Sequence, residues 1–331
     1  MEKRIVNYEK SETPFLLHAR LTARQARGRP YNSPNIFTCL PAGRNQGLPL
    51  EVAKRCFRFL HLYSMIGVFD SGFGGLTIFR ELVKQLPKYD YIYLGDSARA
   101  PYGNRSQDLI FEFSKQAVDY LFKEGCQLII LACNTASSEA LRRIQQEYLP
   151  KNYPERRVLG VIRPTVEEAT ILTKNNRIGV IGTEGTVSSR AYVREIKNLN
   201  PKIIVFQQAC PLLVPIIEAG EHNWEGTDLI LKKYLKPFLN KKIDTLILGC
   251  THYPIIKNKI KKLAKNIKLI SQEKIIGPKL ADYLNRHPEI EKRLSKTNKK
   301  IFLTTDLTER FEKLGSKFFG KKFPPKIIQL D

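Results

Sequence analysis

Two of the six cysteines, Cys133 and Cys250, stand where a thiol could do chemistry. Each follows a short apolar run, and each is followed directly by polar residues, which are Asn134 and Thr135 in one place and Thr251 and His252 in the other. Such groups can hydrogen-bond to a thiolate or an anionic ligand, and a helix that begins there would add its dipole. These surroundings lower the pKa of a thiol from about 8.5, so that it can act as a base near neutral pH.

A pair of such cysteines indicates a different reaction from a single one. A cysteine hydrolase needs one nucleophile, an oriented base and an oxyanion hole, which leaves the second cysteine unexplained. Two thiols on opposite faces of a carbon can instead act as base and acid, and this is what inversion at a carbon acid requires. A disulfide between them would abolish that reaction, so we expect reduced cysteines and a cytoplasmic protein. We interpret Cys126 and Cys210 as core residues.

Four ionisable side chains besides the cysteines are candidates for a role, namely Asp70, Asp96, Glu218 and His252. Asp70 ends an apolar run and precedes the glycine-rich residues 71–75, whose backbone could approach a ligand closely. Asp96 precedes a turn that would expose the backbone amide of Gly103. We expect Glu218 near a helix end, and His252 could tune the Cys250 thiol.

Strands and helices must alternate to position these residues. Seven short apolar runs predict strands, and they are Ile66–Phe69, Tyr91–Leu94, Leu128–Ala132, Val158–Ile162, Ile178–Ile181, Ile203–Phe206 and Thr245–Leu248. Helical patterns such as Leu76–Leu86, Leu109–Glu124 and Ser138–Tyr148 separate most of them. This alternation is typical of parallel sheets covered on both faces, with functional residues just beyond the carboxyl ends of the strands.

The sequence also resembles itself. Residues 66–72 recur loosely at 178–184, and residues 128–135 recur at 245–252, with offsets of 112 and 117 residues. We therefore expect two pseudo-symmetric α/β domains, each with a parallel sheet and a cysteine at a strand end. If the domains face each other across a cleft, the two cysteines face each other too.

Composition separates the first 64 residues from the rest. They contain 8 Arg and 3 Lys, whereas residues 65–331 contain 14 Arg and 30 Lys. We interpret residues 1–64 as a disordered leader, or as an upstream extension of a chain whose true start is Met65. A targeting peptide and a basic arm that contacts nucleic acid or protein are the alternatives.

The net charge of +23 attracts phosphate, but no nucleic-acid module accompanies it, so we expect no nucleic-acid partner. We interpret the lysine-rich stretches as solvated surface, with Lys257–Lys268 on the wet face of a helix. No apolar stretch reaches membrane-spanning length, and no CxxC pair suggests a zinc site, so we expect no membrane contact and no metal.

Four segments together resemble the glutamate racemases of the aspartate/glutamate racemase family. They are Val68–Thr77, Gly95-Asp96 with Pro101-Tyr102-Gly103, Ala132–Ser137, and Gly249–Pro254. The resemblance begins at Met65 and leaves the leader outside. It implies a cofactor-independent isomerase that supplies D-glutamate for peptidoglycan, with the site between two α/β domains, and a homodimer.

The resemblance also implies roles and domain bounds. Cys133 would take the α-proton from D-glutamate and Cys250 from L-glutamate, with Asp70 assisting Cys133, and Glu218 and His252 assisting Cys250. Substrate would be bound by Asp70, Ser71, Tyr102, Gly103, Asn134, Thr135, Thr251 and His252. The first domain would comprise residues 66–162 and 271–331, and the second residues 163–270.

Alternatives and departures remain. Aspartate or a related amino acid could be the substrate on the same scaffold, a gyrase-binding role could use the basic leader, and a pyridoxal-phosphate racemase would need a Schiff-base lysine in a phosphate-binding context. The turn at Val161–Thr165 carries Arg and Thr where acidic or small residues are common. Ile270-Ser271-Gln272 stands where an Asp-Ser pair is frequent. These departures bear on regulation, dimer geometry and domain closure.

Overall fold

A computed structural model describes residues 64–330. The predictions for the leader, residues 1–64, lie outside the described residues except at Ser64. The strands in the described part are β1 Ile66–Asp70, β2 Tyr91–Gly95, β3 Leu128–Leu131, β4 Arg157–Gly160, β5 Arg177–Gly182, β6 Ile204–Ala209, β7 Thr245–Gly249, β8 Lys268–Ile270, β9 Lys300–Thr304 and β10 Pro325–Ile327.

These strands form two parallel sheets. One has six strands in the order β10-β9-β2-β1-β3-β4, and the other has four in the order β6-β5-β7-β8. Every strand pair in both sheets is parallel. The central strands β1, β2, β3 and β7 are buried at every position, as expected for sheets covered on both faces. The predicted α/β class is therefore confirmed.

Helices connect the strands. They are α1 Leu76–Gln85, α2 Gln107–Lys123, α3 Asn134–Glu139, α4 Leu141–Arg143, α5 Leu149–Asn152, α6 Ile162–Leu172, α7 Glu184–Ser188, α8 Ala191–Leu199, α9 Leu213–Glu218, α10 Glu225–Leu239, α11 Lys257–Leu263, α12 Ile276–Arg286, α13 Pro288–Glu291 and α14 Glu309–Phe319. A π-helical stretch, Ile144–Tyr148, joins α4 to α5. No helix among residues 64–330 combines the length and apolar character needed to cross a membrane.

The internal repeat corresponds to a repeated strand pair. In the first sheet β1 lies beside β3, with Ile66 opposite Leu128. In the second sheet β5 lies beside β7, with Ile178 opposite Thr245. These are the residues that the two sequence repeats place in register. Equivalent strands therefore end just before the two cysteines.

Several predicted elements differ from the structure. The helical pattern over Ser138–Tyr148 is broken at Ala140, which ends α3. The helix expected over Lys257–Lys268 stops at Leu263, and Lys268 already belongs to β8. The predicted strand Val158–Ile162 ends at Gly160, because Val161 caps α6.

The C-terminal segment joins the first sheet. β9 pairs with β2, and the ring of Phe79 on α1 lies 5.5 Å from that of Phe302 and 5.6 Å from that of Phe319. Such aromatic pairs contribute about 0.5–1.5 kcal/mol each beyond their burial. The six-stranded sheet thus draws strands from residues 66–160 and 300–327, and the four-stranded sheet from residues 177–270. The exact domain bounds stay a prediction.

Candidate active site

A cavity of about 130 Å³ brings the predicted site residues together. Its wall includes the two cysteines and the predicted residues Ser71, Tyr102, Gly103, Asn134, Thr135, Glu218, Thr251 and His252. Of the residues predicted to bind substrate or act in catalysis, only Asp70 lies behind the wall, and the further candidate Asp96 is not on the wall either. A larger cavity of about 450 Å³, lined by Ser137 and Arg163 among others, contains none of the predicted residues. The smaller cavity is therefore the candidate active site.

Cys133 caps the helix that begins at Asn134. Its sulfur accepts from the backbone N–H of Ala136 at 3.5 Å and lies 3.2 Å from Ser71 Oγ. Burial, followed by the negative charge of Asp70, raises the pKa of Cys133 to about 12, although the hydrogen bonds from Ser71 and Ala136 oppose the rise. Our expectation that the surroundings lower the thiol pKa is therefore wrong for Cys133, because burial outweighs the hydrogen bonds. This side chain is a thiol, able to give a proton, in the unliganded protein at neutral pH.

Cys250 has a histidine for a neighbour instead. Its sulfur lies 3.7 Å from His252 Nδ1, and His252 Nε2 lies 3.0 Å from Glu218 Oε1. Burial alone would lower the pKa of His252, but its hydrogen bonds to Cys250 and Glu218 outweigh burial and raise that pKa to about 10. His252 is therefore cationic at neutral pH, and its charge stabilises negative charge on the Cys250 sulfur.

Glu218 is the last residue of α9, as the sequence predicted. The ring of His252 packs edge-on against Phe73 at 5.7 Å and Phe318 at 5.8 Å. Phe73 comes from the loop after β1 and Phe318 from the C-terminal helix α14. Residues from the first sheet's part of the fold thus pack against the imidazole of His252, which follows strand β7 of the second sheet.

Asp70 lies behind the cavity wall and is 1% exposed. Its carboxylate accepts from the backbone N–H of Gly72 at 3.1 Å and from Thr251 Oγ1 at 3.4 Å. Burial raises its pKa, and the charge of His252 is the largest opposing influence. Asp70 therefore connects the end of β1 to the residue that follows Cys250.

The glycine-rich loop after Asp70 also packs closely against the site's own residues, while Ser71 and Gly72 of this loop line the cavity. A Cβ on Gly74 would lie 2.4 Å from Thr251 Oγ1 and 2.6 Å from the His252 ring, and one on Gly75 would lie 2.6 Å from Asp70 Cβ. No side chain fits at such distances. These two glycines let the loop approach other residues of the site.

Tyr102 lines the cavity, and its hydroxyl is already engaged in a hydrogen bond. The hydroxyl donates to Asp96 Oδ2 at 2.5 Å, and Asp96 is fully buried. The neighbouring carbonyl of Gly103 accepts from the N–H of Gly185 at 2.8 Å, at the start of α7. Asp96 therefore fixes the turn that carries Gly103. The sequence marks this aspartate as a candidate but does not assign it a function.

Sequence reasoning missed Thr183, which also lines the cavity. Its hydroxyl lies 2.9 Å from that of Thr135, which joins the two halves of the site. A signal was available, because Thr183 occupies the position in the second repeat that Ser71 occupies in the first. Tyr192 and Gln272, which hydrogen-bond to Asn134, were not named as site residues either.

Metal-ligating side chains do not cluster in this region. Among residues 64–330 no group of three or more His, Cys, Asp and Glu side chains could hold a metal ion. The four described cysteines, at positions 126, 133, 210 and 250, are free and buried. The residues available for chemistry are thus two thiols, an imidazole, carboxylates and hydroxyls.

Comparison with known proteins gives consistent results. The family model for Asp/Glu/Hydantoin racemase matches residues 66–275. A curated glutamate racemase from Persephonella marina is 43% identical over 265 residues, which are 80% of this chain and 97% of that protein. One from Neisseria gonorrhoeae is 41% identical over 256 residues, covering 77% of this chain and 93% of that protein.

Solved structures agree with the sequence relatives. Glutamate racemase from Francisella tularensis in complex with D-glutamate aligns with a TM-score of 0.74 at 38% identity, covering 81% of this chain and 98% of that one. Glutamate racemase from Aquifex pyrophilus aligns with a TM-score of 0.67, also at 38% identity, covering 80% and 98%. The similarity in both cases extends over nearly the whole length of the known protein.

Proposed function

Because the chain belongs to the Asp/Glu/hydantoin racemase family and is an amino-acid racemase of the glutamate racemase type, we propose that it interconverts L- and D-glutamate through Cys133 and Cys250. The observation that supports this most is that two buried thiols with different neighbours line one small cavity. Glutamate as the substrate is supported by the relatives, which are named glutamate racemases.

In the direction from L- to D-glutamate, Cys250 is the base. Its sulfur, in the thiolate form beside cationic His252, takes the α-proton, so that a C–H bond breaks and an S–H bond forms. The Cys133 thiol then gives its proton to the opposite face of the carbon, which leaves the D enantiomer and a Cys133 thiolate. Both proton transfers are general acid–base steps, which typically contribute 10²–10⁴-fold to rate.

The reverse direction uses the same groups in exchanged roles. Cys133 must then be the thiolate, and Ser71 Oγ at 3.2 Å and the Ala136 N–H at 3.5 Å are the donors that stabilise it. We propose that Asp70 assists Cys133 in the direction from L- to D-glutamate, where its charge keeps the Cys133 side chain protonated. Glu218 assists Cys250 by holding His252 at 3.0 Å. No step requires a cofactor.

Substrate binding is assigned to the remaining polar groups of the cavity wall. The hydroxyls of Ser71, Thr135 and Thr251, the amide of Asn134, the backbone at Tyr102 and Gly103 and the cationic ring of His252 would recognise the two carboxylates and the amino group. Asp70, behind the wall, would act on substrate through Thr251. Donors fixed by the protein can stabilise carboxylate charge in a cavity with little water.

We propose further that the D-glutamate serves peptidoglycan synthesis, that the enzyme works in the cytoplasm and that it forms a homodimer. The location is supported by the need to keep two facing thiols reduced. An aspartate racemase on the same scaffold is the alternative to be tested alongside.

The direct test is to incubate the reduced protein with L-glutamate in D2O without added cofactor. Optical rotation and α-hydrogen exchange would be followed together, with L-aspartate as a parallel substrate. We expect loss of rotation with deuterium at Cα from glutamate and little from aspartate. A folded, reduced protein that changes neither enantiomer of glutamate would refute the proposal, and faster turnover of aspartate would establish the alternative.

A further inference from the structure

Three buried polar side chains form a closed hydrogen-bonded group beside Cys133. They are Asn134, Tyr192 and Gln272, which are 3%, 0% and 3% exposed. Asn134 Nδ2 donates to Gln272 Oε1 at 2.7 Å, and Gln272 Nε2 donates back to Asn134 Oδ1 at 2.7 Å. Tyr192 Oη donates to Asn134 Oδ1 at 2.7 Å and accepts from Gln272 Nε2 at 2.9 Å. The side-chain amides of Asn134 and Gln272 thus bond to each other, and the hydroxyl of Tyr192 bonds to both of them.

The side chain of Asn134 has one hydrogen-bond donor that is not used by its protein partners. An asparagine side chain has two N–H donors and two acceptor sites on its oxygen. Both acceptor sites of Asn134 Oδ1 are filled, by Tyr192 and Gln272, and one Nδ2 hydrogen is used. One N–H remains, and within residues 64–330 it has no partner. Asn134 lines the cavity, so it can offer the substrate a donor and no acceptor.

The three residues come from segments that the fold brings together at this point. Asn134 is the first residue of α3 and follows Cys133 directly. Tyr192 lies on α8 beside the second sheet, and Gln272 begins the short 3₁₀ helix Gln272–Lys274 that leads from β8 to α12. Without these partners the terminal amide torsion of an asparagine is broad and roughly two-fold. The Asn134 side chain could then turn its oxygen, instead of its N–H, towards a carboxylate of the substrate.

We propose that Gln272, together with Tyr192, is a positioning residue that fixes the amide of Asn134 so that its free N–H meets a carboxylate oxygen of the substrate. This inference rests on the proposed function, in which Asn134 binds glutamate. It gives a role to the glutamine at one of the two places where the sequence departs from the family pattern. The contact exists before and during reaction, so its loss weakens binding more than turnover.

The test uses Gln272→Met, which keeps the length of the side chain and removes its amide. We expect the KM for both enantiomers of glutamate to rise about 10-fold with kcat within about two-fold of wild type, since one oriented hydrogen bond to a charged group is lost. Tyr192→Phe should raise KM by about three-fold, and it tests the proposal should Gln272→Met fail to fold. Gln207→Met is the matched control, because Gln207 is half-buried, hydrogen-bonds to Val187 O at 3.1 Å and lies outside the cavity wall.

A double-mutant cycle separates positioning from general destabilisation. If Gln272 acts through Asn134, Gln272→Met should change KM by less than about two-fold in an Asn134→Ala background. An unchanged KM in the folded single variants, a loss confined to kcat, or an equal loss in both backgrounds would overturn the proposal. Wild-type protein with no glutamate racemisation would instead refute the proposed function, so the two failures are distinguishable.

Discussion

At the scale of single residues, the two thiols lie in opposite electrostatic surroundings. Cys133 is buried near the carboxylate of Asp70, which raises its pKa to about 12. Cys250 lies 3.7 Å from His252, whose own pKa is raised to about 10. A negative neighbour and a positive neighbour favour opposite charge states of a nearby group, which is one way in which similar groups acquire acid and base roles. This difference supports the proposal that Cys250 takes the proton from L-glutamate.

The histidine makes the stability of the protein depend on pH. Because the pKa of His252 is raised from 6.5 to about 10, the folded protein holds a proton that the unfolded chain releases between those values. This contribution to the free energy of unfolding is fully present below pH 6.5 and is lost as pH rises towards 10. We expect the wild type to lose more stability than His252→Asn between pH 6.5 and 10, as measured by urea unfolding.

A matched control for this measurement is His287→Asn, which removes a histidine outside the cavity wall that pairs with Glu289 at 3.0 Å. That variant should keep the wild-type dependence on pH. Identical pH slopes for wild type and His252→Asn would show that His252 is not held in its cationic form.

The sequence points to the two cysteines proposed to react, and not to the residues that support them. Cys133 and Cys250 could be selected because polar groups follow each of them directly along the chain. Tyr192 and Gln272 could not, because their contacts with Asn134 join residues separated by 58 and 138 positions. Only the fold brings such residues together, and nothing around a single tyrosine or glutamine in the sequence indicates a contact of this kind.

At the scale of elements, the ends of parallel strands and the loops that follow them build the site. β1 leads to Asp70 and the glycine-rich loop, β3 leads to Cys133, and β7 leads to Cys250. Loops of this kind can approach one another only where side chains are absent. Gly74, whose absent Cβ would lie 2.4 Å from Thr251 Oγ1, is the closest such approach within this loop.

Gly74→Ala should therefore displace Thr251 or His252 while the fold survives. A shift of about 1 Å in a catalytic group can lower rates about 100-fold, so we expect kcat/KM to fall by about that factor. Gly72→Ala is the comparison, since a Cβ there would meet only Ala100 Cβ, at 3.9 Å. Steady-state kinetics with both enantiomers measure the effect. Equal activities of the two variants would contradict the packing argument.

Strands were predictable where the sequence forms an apolar run, and not where they are very short or begin in a lysine-rich stretch. The seven apolar runs all correspond to strands, and the central ones are apolar throughout because both of their faces are covered. β8 and β10 are three-residue edge strands that contain exposed lysines, Lys268 and Lys326. β9 begins at Lys300 within a lysine-rich stretch that we had interpreted as surface. β8 and β10 are edge strands, which need no continuous apolar pattern. β9 lies between β10 and β2, but its first two residues are only half-buried, so sequence alone did not reveal it either.

At the scale of the whole molecule, the repeat explains why there are two thiols. Two sheets with the same central strand pair, β1 with β3 and β5 with β7, each end in a cysteine. Hydrogen bonds from Thr251 to Asp70 and between Thr135 and Thr183 then join the two halves at the cavity. A duplicated fold with a shared site suits a reaction that needs one group on each face of a carbon.

The central claim is that each thiol serves one enantiomer, and single serine variants test it most directly. Cys133→Ser and Cys250→Ser would be incubated with each enantiomer of glutamate in D2O, and racemisation and α-hydrogen exchange would be measured separately. We expect racemisation to fall at least 100-fold in both variants, because each loses one general acid–base group. Residual exchange should come from L-glutamate with Cys133→Ser and from D-glutamate with Cys250→Ser. Near-normal racemisation in both variants, or the same enantiomer preference in both, would contradict the two-thiol account.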